Sequence, residues 1–296
     1  MTTVRFSIPL VTALLVSTLC GCSQTPPNAE HGTANVVAST GAWASVAAAV
    51  VGQHATVRSL MPADADPRAF TPGTAAVSEV ADASLVVYNG GRYDQWIAPI
   101  LKDAPDIPRI DALSLTPLQP PADDHVFYDV LTAKAVADRI AETLGESDAE
   151  HAADYTAAAQ QFDEDLDTLT LAQHAIGQAH PGASVISIAP VATYAVRNAG
   201  IADKTPPAFA DALEQGRTPT PADVAAVRDS ITARRVSALV VDDQATGGAL
   251  DTITAAARGV ALPIISISST LPDGMSYLQW QRATVDRIAA ALSTPS

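Results

Sequence analysis

From Asp148 to Ile176 the chain runs without a single glycine or proline. Within that stretch Tyr155, Phe162, Leu166 and Leu169 recur at helical spacing and fall on one face. The pattern predicts one helix from Asp148 to about Ala179, roughly 30 residues at 1.5 Å each and so long enough to cross a whole domain. Ser147, with Glu150 three residues on, reads as its capping box. On both sides of this rod, short apolar runs alternate with helical spacing. The N-terminal side reads as strand 36–38, helix 42–51, strand 56–60, a Pro- and Asp-rich loop 62–72, helix 74–81 and strand 85–88. Next come the turn Asn89-Gly90-Gly91, a helix over 93–102 and a helix over 131–144 closed by Gly145. The C-terminal side reads as strand 185–188, helix 191–199 closed by Gly200, a Pro-rich connection 205–221 and helix 222–234. Strand 238–241, helix 250–258, strand 263–267 and helix 277–292 complete it. Strands alternating with helices call for parallel sheets with helical crossovers. The fold class is therefore α/β: two parallel-sheet α/β lobes joined by one long bridging α-helix.

The N-terminus carries a second strong signal. Arg5 precedes an apolar run from Ile8 to Leu19, too short for a permanent membrane span of ~20 residues but suited to a secretory signal. It ends in Leu19-Cys20-Gly21-Cys22, which resembles the lipobox of bacterial lipoproteins with Cys22 as the lipidated residue. Cys20 does not fit that register, because Leu19 would stand where a small residue is needed. Both cysteines of the chain fall here, so the mature protein would hold no disulfide and no free thiol for catalysis or metal. Cys22 would tie the protein to the membrane, giving an extracytoplasmic, lipid-anchored location in the cell envelope. The expected organisation is a signal peptide over 1–22, a polar flexible tether over 23–34 that includes His31, and an N-terminal lobe over 35–146. The bridging helix over 147–180 and a C-terminal lobe over 181–296 follow. A net charge of −15 disfavours nucleic acid as a partner, which needs basic patches, and none is expected.

Several segments, in order, resemble the metal-binding lipoproteins of zinc- and manganese-type ABC importers. They are Val36-Val37-Ala38-Ser39, Ser59-Leu60-Met61-Pro62 through Ala65-Asp66-Pro67, and Ala83 to Trp96. Asp124-His125-Val126-Phe127-Tyr128-Asp129 and Leu271-Pro272-Asp273-Gly274 with Tyr277 and Trp280 continue the series. The resemblance implies a ligand cleft between the lobes, a zinc or manganese ion as transported cargo with no catalytic cofactor, an ABC permease subunit as membrane partner, and a monomer. It also implies four ligand positions. The first, in an Asp-Pro-His loop, is occupied here by Arg68; the second is His125; the third is Ala189; the fourth is Ser269. Arginine presents donors only and cannot ligate a metal. One of the four family ligands thus remains. Asp211, Asp123, Asp124 or Asp129 could add oxygens, although in the family the aspartate at position 129 supports the loop.

Two functions stay open at this point. One is cargo capture and delivery by a metal importer. The other is a degenerate member without metal binding, acting as an accessory or interaction lipoprotein or holding an anionic ligand through Arg68, since guanidinium forks suit carboxylate and phosphate. Asp242 and Asp243 follow a strand and could face the cleft or serve as cap and loop residues. His54, His151, His174 and His180 read as surface or capping histidines. No Gly-x-Ser-x-Gly, P-loop or His-Glu-x-x-His motif is present, so catalysis is not expected.

Overall fold

The computed structural model describes residues 34–117, 123–188 and 190–293. The segment expected to be a signal peptide with a lipobox, including Cys20 and Cys22, and His31 lie outside the described residues, as does position 189. The N-terminal lobe is built from β1 (Ala34–Ala38), α1 (Gly41–Val51), β2 (Ala55–Ser59), α2 (Thr74–Ala81), β3 (Leu85–Tyr88), α3 (Ile97–Asp103), β4 (Arg109–Asp111) and α4 (Ala112–Leu115). A 3₁₀ turn at Val126–Tyr128 leads into α5 (Val130–Ser147), and α6 (Ala152–Ala179) is the bridging helix. The C-terminal lobe holds β5 (Ser184–Ser187), α7 (Thr193–Asn198), β6 (Ala202–Asp203), α8 (Pro207–Glu214), α9 (Pro221–Thr232), β7 (Ala238–Asp242), α10 (Gly248–Gly259) and β8 (Ile264–Ile267). The last helix, α11 (Tyr277–Ser293), returns to pack on α6 and α1.

The two sheets are all-parallel, in the orders β2-β1-β3-β4 and β6-β5-β7-β8, so the second lobe repeats the strand order of the first. Alternation along each central strand splits its side chains between two faces. In β1, Val36 and Ala38 point to one core and Val37 to another; in β7, Ala238 and Val240 separate from Leu239 and Val241 in the same way. The outer faces carry separate clusters, around Val80, Ile97 and Leu101 in one lobe and around Phe209, Val227 and Ile253 in the other. The inner faces join a single cluster that runs from Trp43 through Phe127, Tyr155, Phe162 and Trp280 to Tyr194, Val240 and Ile267. Both lobes are therefore fastened to α6 by one continuous apolar core, as the buried stripe Tyr155, Phe162, Leu166 and Leu169 requires. Gly177 lets α6 approach the second lobe closely, because a Cβ there would stand 2.5 Å from the Ala199 carbonyl oxygen.

The structure corrects the sequence reading in four places. The expected capping box is absent: α5 runs through Gly145 to Ser147, whose hydroxyl turns back to the Leu144 carbonyl oxygen at 3.1 Å. The turn is held instead by Asp148, whose Oδ2 accepts from His151 Nδ1 and Tyr155 Oη, each at 2.8 Å. The Pro-rich connection contains α8, which starts on Pro207; proline suits a first helical turn because that turn needs no N–H. The helix expected from residue 93 begins at Ile97, since the Asp94 carboxylate holds the preceding turn by accepting the Asn89 and Gly90 N–H groups at 2.7 and 2.9 Å. The short edge strands β4 and β6 were not foreseen, being three and two residues long. Among the described residues no helix is long and apolar enough to cross a membrane.

Candidate ligand cleft

In open parallel sheets, ligands gather beyond the carboxyl ends of the strands. Here the loops after β2, β3 and β8 and the segment before the 3₁₀ turn meet at such ends. At the centre is His125, 2% exposed, with the Tyr93 and Phe127 rings edge-on to its imidazole at 5.7 Å each. Asp123 sits behind it: Oδ1 accepts the His125 backbone N–H at 2.6 Å and lies 3.0 Å from Nδ1. On the other side, Arg68 Nη2 stands 3.5 Å from Nε2. A guanidinium only donates and a carboxylate only accepts, so this chain of contacts fixes the tautomer. In the neutral ring these partners place the proton on Nδ1 and turn the Nε2 lone pair toward Arg68. The second oxygen of Asp123, Oδ2, is buried without a hydrogen-bond partner.

The segment 123–125 is clamped from both lobes. Tyr194 Oη, from the second lobe, donates to the Asp123 carbonyl oxygen at 3.0 Å, and Asn89 Nδ2 donates to the Asp124 carbonyl oxygen at 2.7 Å. The Asp124 side chain accepts the Arg92 N–H at 2.9 Å. Asp129 is buried; it accepts from Thr132 Oγ1 at 2.7 Å and pairs with Arg197 across the lobes at 3.6 Å. The opposing wall is the loop after β8. Ser269 Oγ donates to Gln244 Oε1 at 2.9 Å, and its carbonyl oxygen accepts from Tyr93 Oη at 2.5 Å. Thr270 Oγ1 accepts from Gln244 Nε2 and donates to the Ala63 carbonyl oxygen, each at 2.9 Å. This tie reaches the loop that carries Arg68. Within that loop, Asp66 Oδ1 accepts the Arg68 N–H at 2.9 Å, and the guanidinium lies 5.8 Å above the Tyr93 ring.

Burial shifts the ionisation of several groups around the cleft. It pushes Tyr93 well above its ordinary value, with Asp94 adding to the effect and Arg68 opposing it. It raises Asp94 to about 6, against the two backbone N–H groups that favour its charged form.

Of the positions singled out in the sequence, Arg68, His125 and Ser269 converge on the cleft. Asp211 lies exposed on α8. Asp242 works as a loop residue, accepting the Gln244 N–H at 2.9 Å. With Asp243, Asp251 and Arg258 it lines a separate cavity of about 380 Å³ beside α10. His54 and His151 stack at 4.1 Å on each other, with Asp154 and Asp148 as their carboxylate partners. Among the described residues no three His, Cys, Asp or Glu side chains come together as a metal ion requires. Sequence reasoning took Asp123 for a spare oxygen and gave Tyr93, Gln244 and Thr270 no role. The spacing Asp-x-His was the one available signal for Asp123.

A family model described as the periplasmic component A of the zinc-uptake complex, ZnuA, matches residues 36–291. The manganese-binding lipoprotein MntA of Halalkalibacterium halodurans is 25% identical over 172 residues, 56% of this chain and 57% of that one. The chain thus spans a little over half the length of the curated relative it matches. Among solved structures, the periplasmic zinc-binding protein TroA of Treponema pallidum superposes with a TM-score of 0.75 at 17% identity, over 89% of this chain and 100% of that one. The nickel complex of FpvC from P. aeruginosa gives 0.74 at 22% identity, over 90% and 99%. The laminin-binding protein Lmb of Streptococcus agalactiae, a bifunctional protein with adhesin and metal-transporting activity, gives 0.74 at 20% identity, over 88% and 100%. At these identities the structural likeness is one of fold.

Proposed function

Because the chain belongs to the ZnuA family of extracytoplasmic, non-catalytic solute-binding proteins, we propose that it is the solute-binding component of a zinc/manganese-type ABC import system. In this reading it is anchored through lipid on Cys22, carries a divalent ion in the cleft between its lobes, and delivers it to a membrane permease. The observation that supports the reading is the Asp123–His125 pair. A metal-ligating histidine characteristically gives its second ring N–H to a carboxylate, which fixes the tautomer and directs the free lone pair at the ion. His125 has that support, at 3.0 Å, and lies buried where the two lobes meet.

The remaining donors do not complete a divalent site as they stand. Zinc takes about four N, O or S ligands. The cleft offers one imidazole, a hydroxyl at Ser269 already committed to Gln244, and a guanidinium at Arg68. That set favours a second reading, in which the chain keeps the family fold without capturing metal. It would then be an accessory or interaction lipoprotein, or hold an anionic ligand on Arg68. Calorimetry separates the two. The full-length chain, purified in detergent and stripped with chelator, is titrated with zinc and then manganese. Saturable one-to-one binding that disappears in His125→Ala supports cargo capture. Absence of heat and of thermal stabilisation with both ions, with binding of phosphate or a carboxylate that Arg68→Ala abolishes, supports the second reading.

A further inference from the structure

The contact between Arg68 and His125 has a chemical meaning of its own. Metals approach a neutral histidine along the lone pair of its unprotonated nitrogen, at about 2.0–2.1 Å for zinc. In this chain that lone pair is on Nε2, and a cationic nitrogen already stands 3.5 Å from it. An ion bound to Nε2 would share the space with the guanidinium, so the two exclude each other sterically as well as by charge. We propose that Arg68 is a tethered cation that takes the cargo ion's place on His125 and is the residue that determines whether the cleft accepts a divalent ion.

Three further observations support this. With the imidazole neutral, the relay Asp123–His125–Arg68 carries no net charge, one carboxylate balancing one guanidinium. A dication added to it would leave uncompensated positive charge in a cleft whose other wall, Gln244, Ser269 and Thr270, carries none of the opposite sign. The guanidinium is also seated rather than adrift: Tyr93 lies beneath it at 5.8 Å, and Asp66 fixes its backbone at 2.9 Å. Thr270 ties the same loop to the second lobe through the Ala63 carbonyl oxygen. Finally, Asp123 Oδ2 is, among the described residues, a carboxylate oxygen of the cleft buried without a hydrogen-bond partner, so negative charge remains behind the imidazole if Arg68 withdraws. Arg68 as a whole residue is exposed, so its side chain has solvent to withdraw into. The affinity of the wild-type chain for a divalent ion is therefore lowered by the fraction of time the guanidinium occupies the site.

The inference rests on the cleft being the cargo site, as proposed above, and the test keeps the two apart. Zinc affinity is measured by calorimetry on the full-length chain in detergent for the wild type, R68A, R68Q, R68K, H125A and the R68A/H125A double variant. Arg68→Ala and Arg68→Gln are expected to bind zinc at least tenfold more tightly than the wild type. Arg68→Lys, which keeps the charge, is expected to gain no more than about twofold, and the double variant to lose the gain. Equal zinc affinity in wild type and R68A, lost in H125A, would overturn the role of Arg68 and leave the cargo reading standing. Absence of zinc binding in the wild type, R68A and R68Q alike would overturn both. A gain in Arg68→Lys equal to that in Arg68→Ala would also overturn it, since charge would then not be the determinant.

Discussion

The two lobes repeat one strand order, yet they bring opposite chemistry to the cleft. The N-terminal wall is made of buried ionisable groups: Asp94, Asp123, His125 and Asp129. Apart from Arg197, which faces Asp129, the C-terminal wall is made of hydroxyls, an amide and backbone carbonyls: Ser268, Ser269, Thr270 and Gln244. Neutral groups that both donate and accept can trade partners without leaving a charge bare. A buried carboxylate or imidazole cannot, because an unpaired charge in a dry site costs several kcal/mol or neutralises itself. Repeating a topology thus duplicates the scaffold and leaves each lobe free to specialise: one sets the charge balance of the site, the other closes over it.

The strongest challenge to this division is mechanical. If the shared inner core makes the lobes one body, truncating its aromatic centre should weaken both together. Trp280 is fully buried, stacked with Phe127 at 5.6 Å and against Tyr128 at 4.9 Å. Trp280→Ala is expected to cost about 3–5 kcal/mol in urea denaturation, with a single transition. Two resolved transitions would show lobes that unfold separately.

Next in size is the charge asymmetry itself. Asp94 titrates at about 6 in the folded protein because burial disfavours its charged form, against an ordinary value of 3.8. Its folded value lies above the unfolded one, so its contribution to stability is full below about pH 4 and is lost as pH rises through about 6. Two units correspond to about 3 kcal/mol. Urea midpoints of wild type and Asp94→Asn, compared between pH 4 and 7, should diverge by a slope of that order, with the downward trend confined to the wild type. Parallel curves would remove Asp94 from the argument.

The smallest effect concerns the closure. Tyr128 Oη donates to the Ser268 carbonyl oxygen at 2.8 Å, joining the charged wall to the neutral one. Tyr128→Phe leaves that carbonyl without its donor, at a cost of about 1–3 kcal/mol. Hydrogen exchange should quicken around residues 268–270 before it quickens in β5 or β7. Uniform quickening would show that the contact is not a local closure.

Much of this was legible in the sequence, for a physical reason. Strands buried on both faces read as continuous apolar runs, and a helix that crosses a domain must carry one long apolar stripe, so β1, β3, β5, β7 and α6 stand out. The short edge strands β4 and β6 bury too little to leave a pattern. Asp148 escaped notice because its turn is held by side chains seven residues apart rather than by a capping box. The cleft was only partly readable. A motif places His125 at a family position, but its two ring partners come from different distances along the chain. Asp123 is two residues away and could be inferred; Arg68 is 57 residues away, and only the packed loops reveal that it meets Nε2.

The last helix adds a constraint on the order of assembly. Tyr277 donates its backbone N–H to Ser45 Oγ at 2.7 Å and its hydroxyl to the Phe127 carbonyl oxygen at 2.6 Å, and Trp280 fills the centre of the first lobe's core. A chain that emerges from its N-terminus onward therefore cannot finish the core of its first lobe until α11 has appeared. Until then the faces of α1 and α6 that α11 covers stay open.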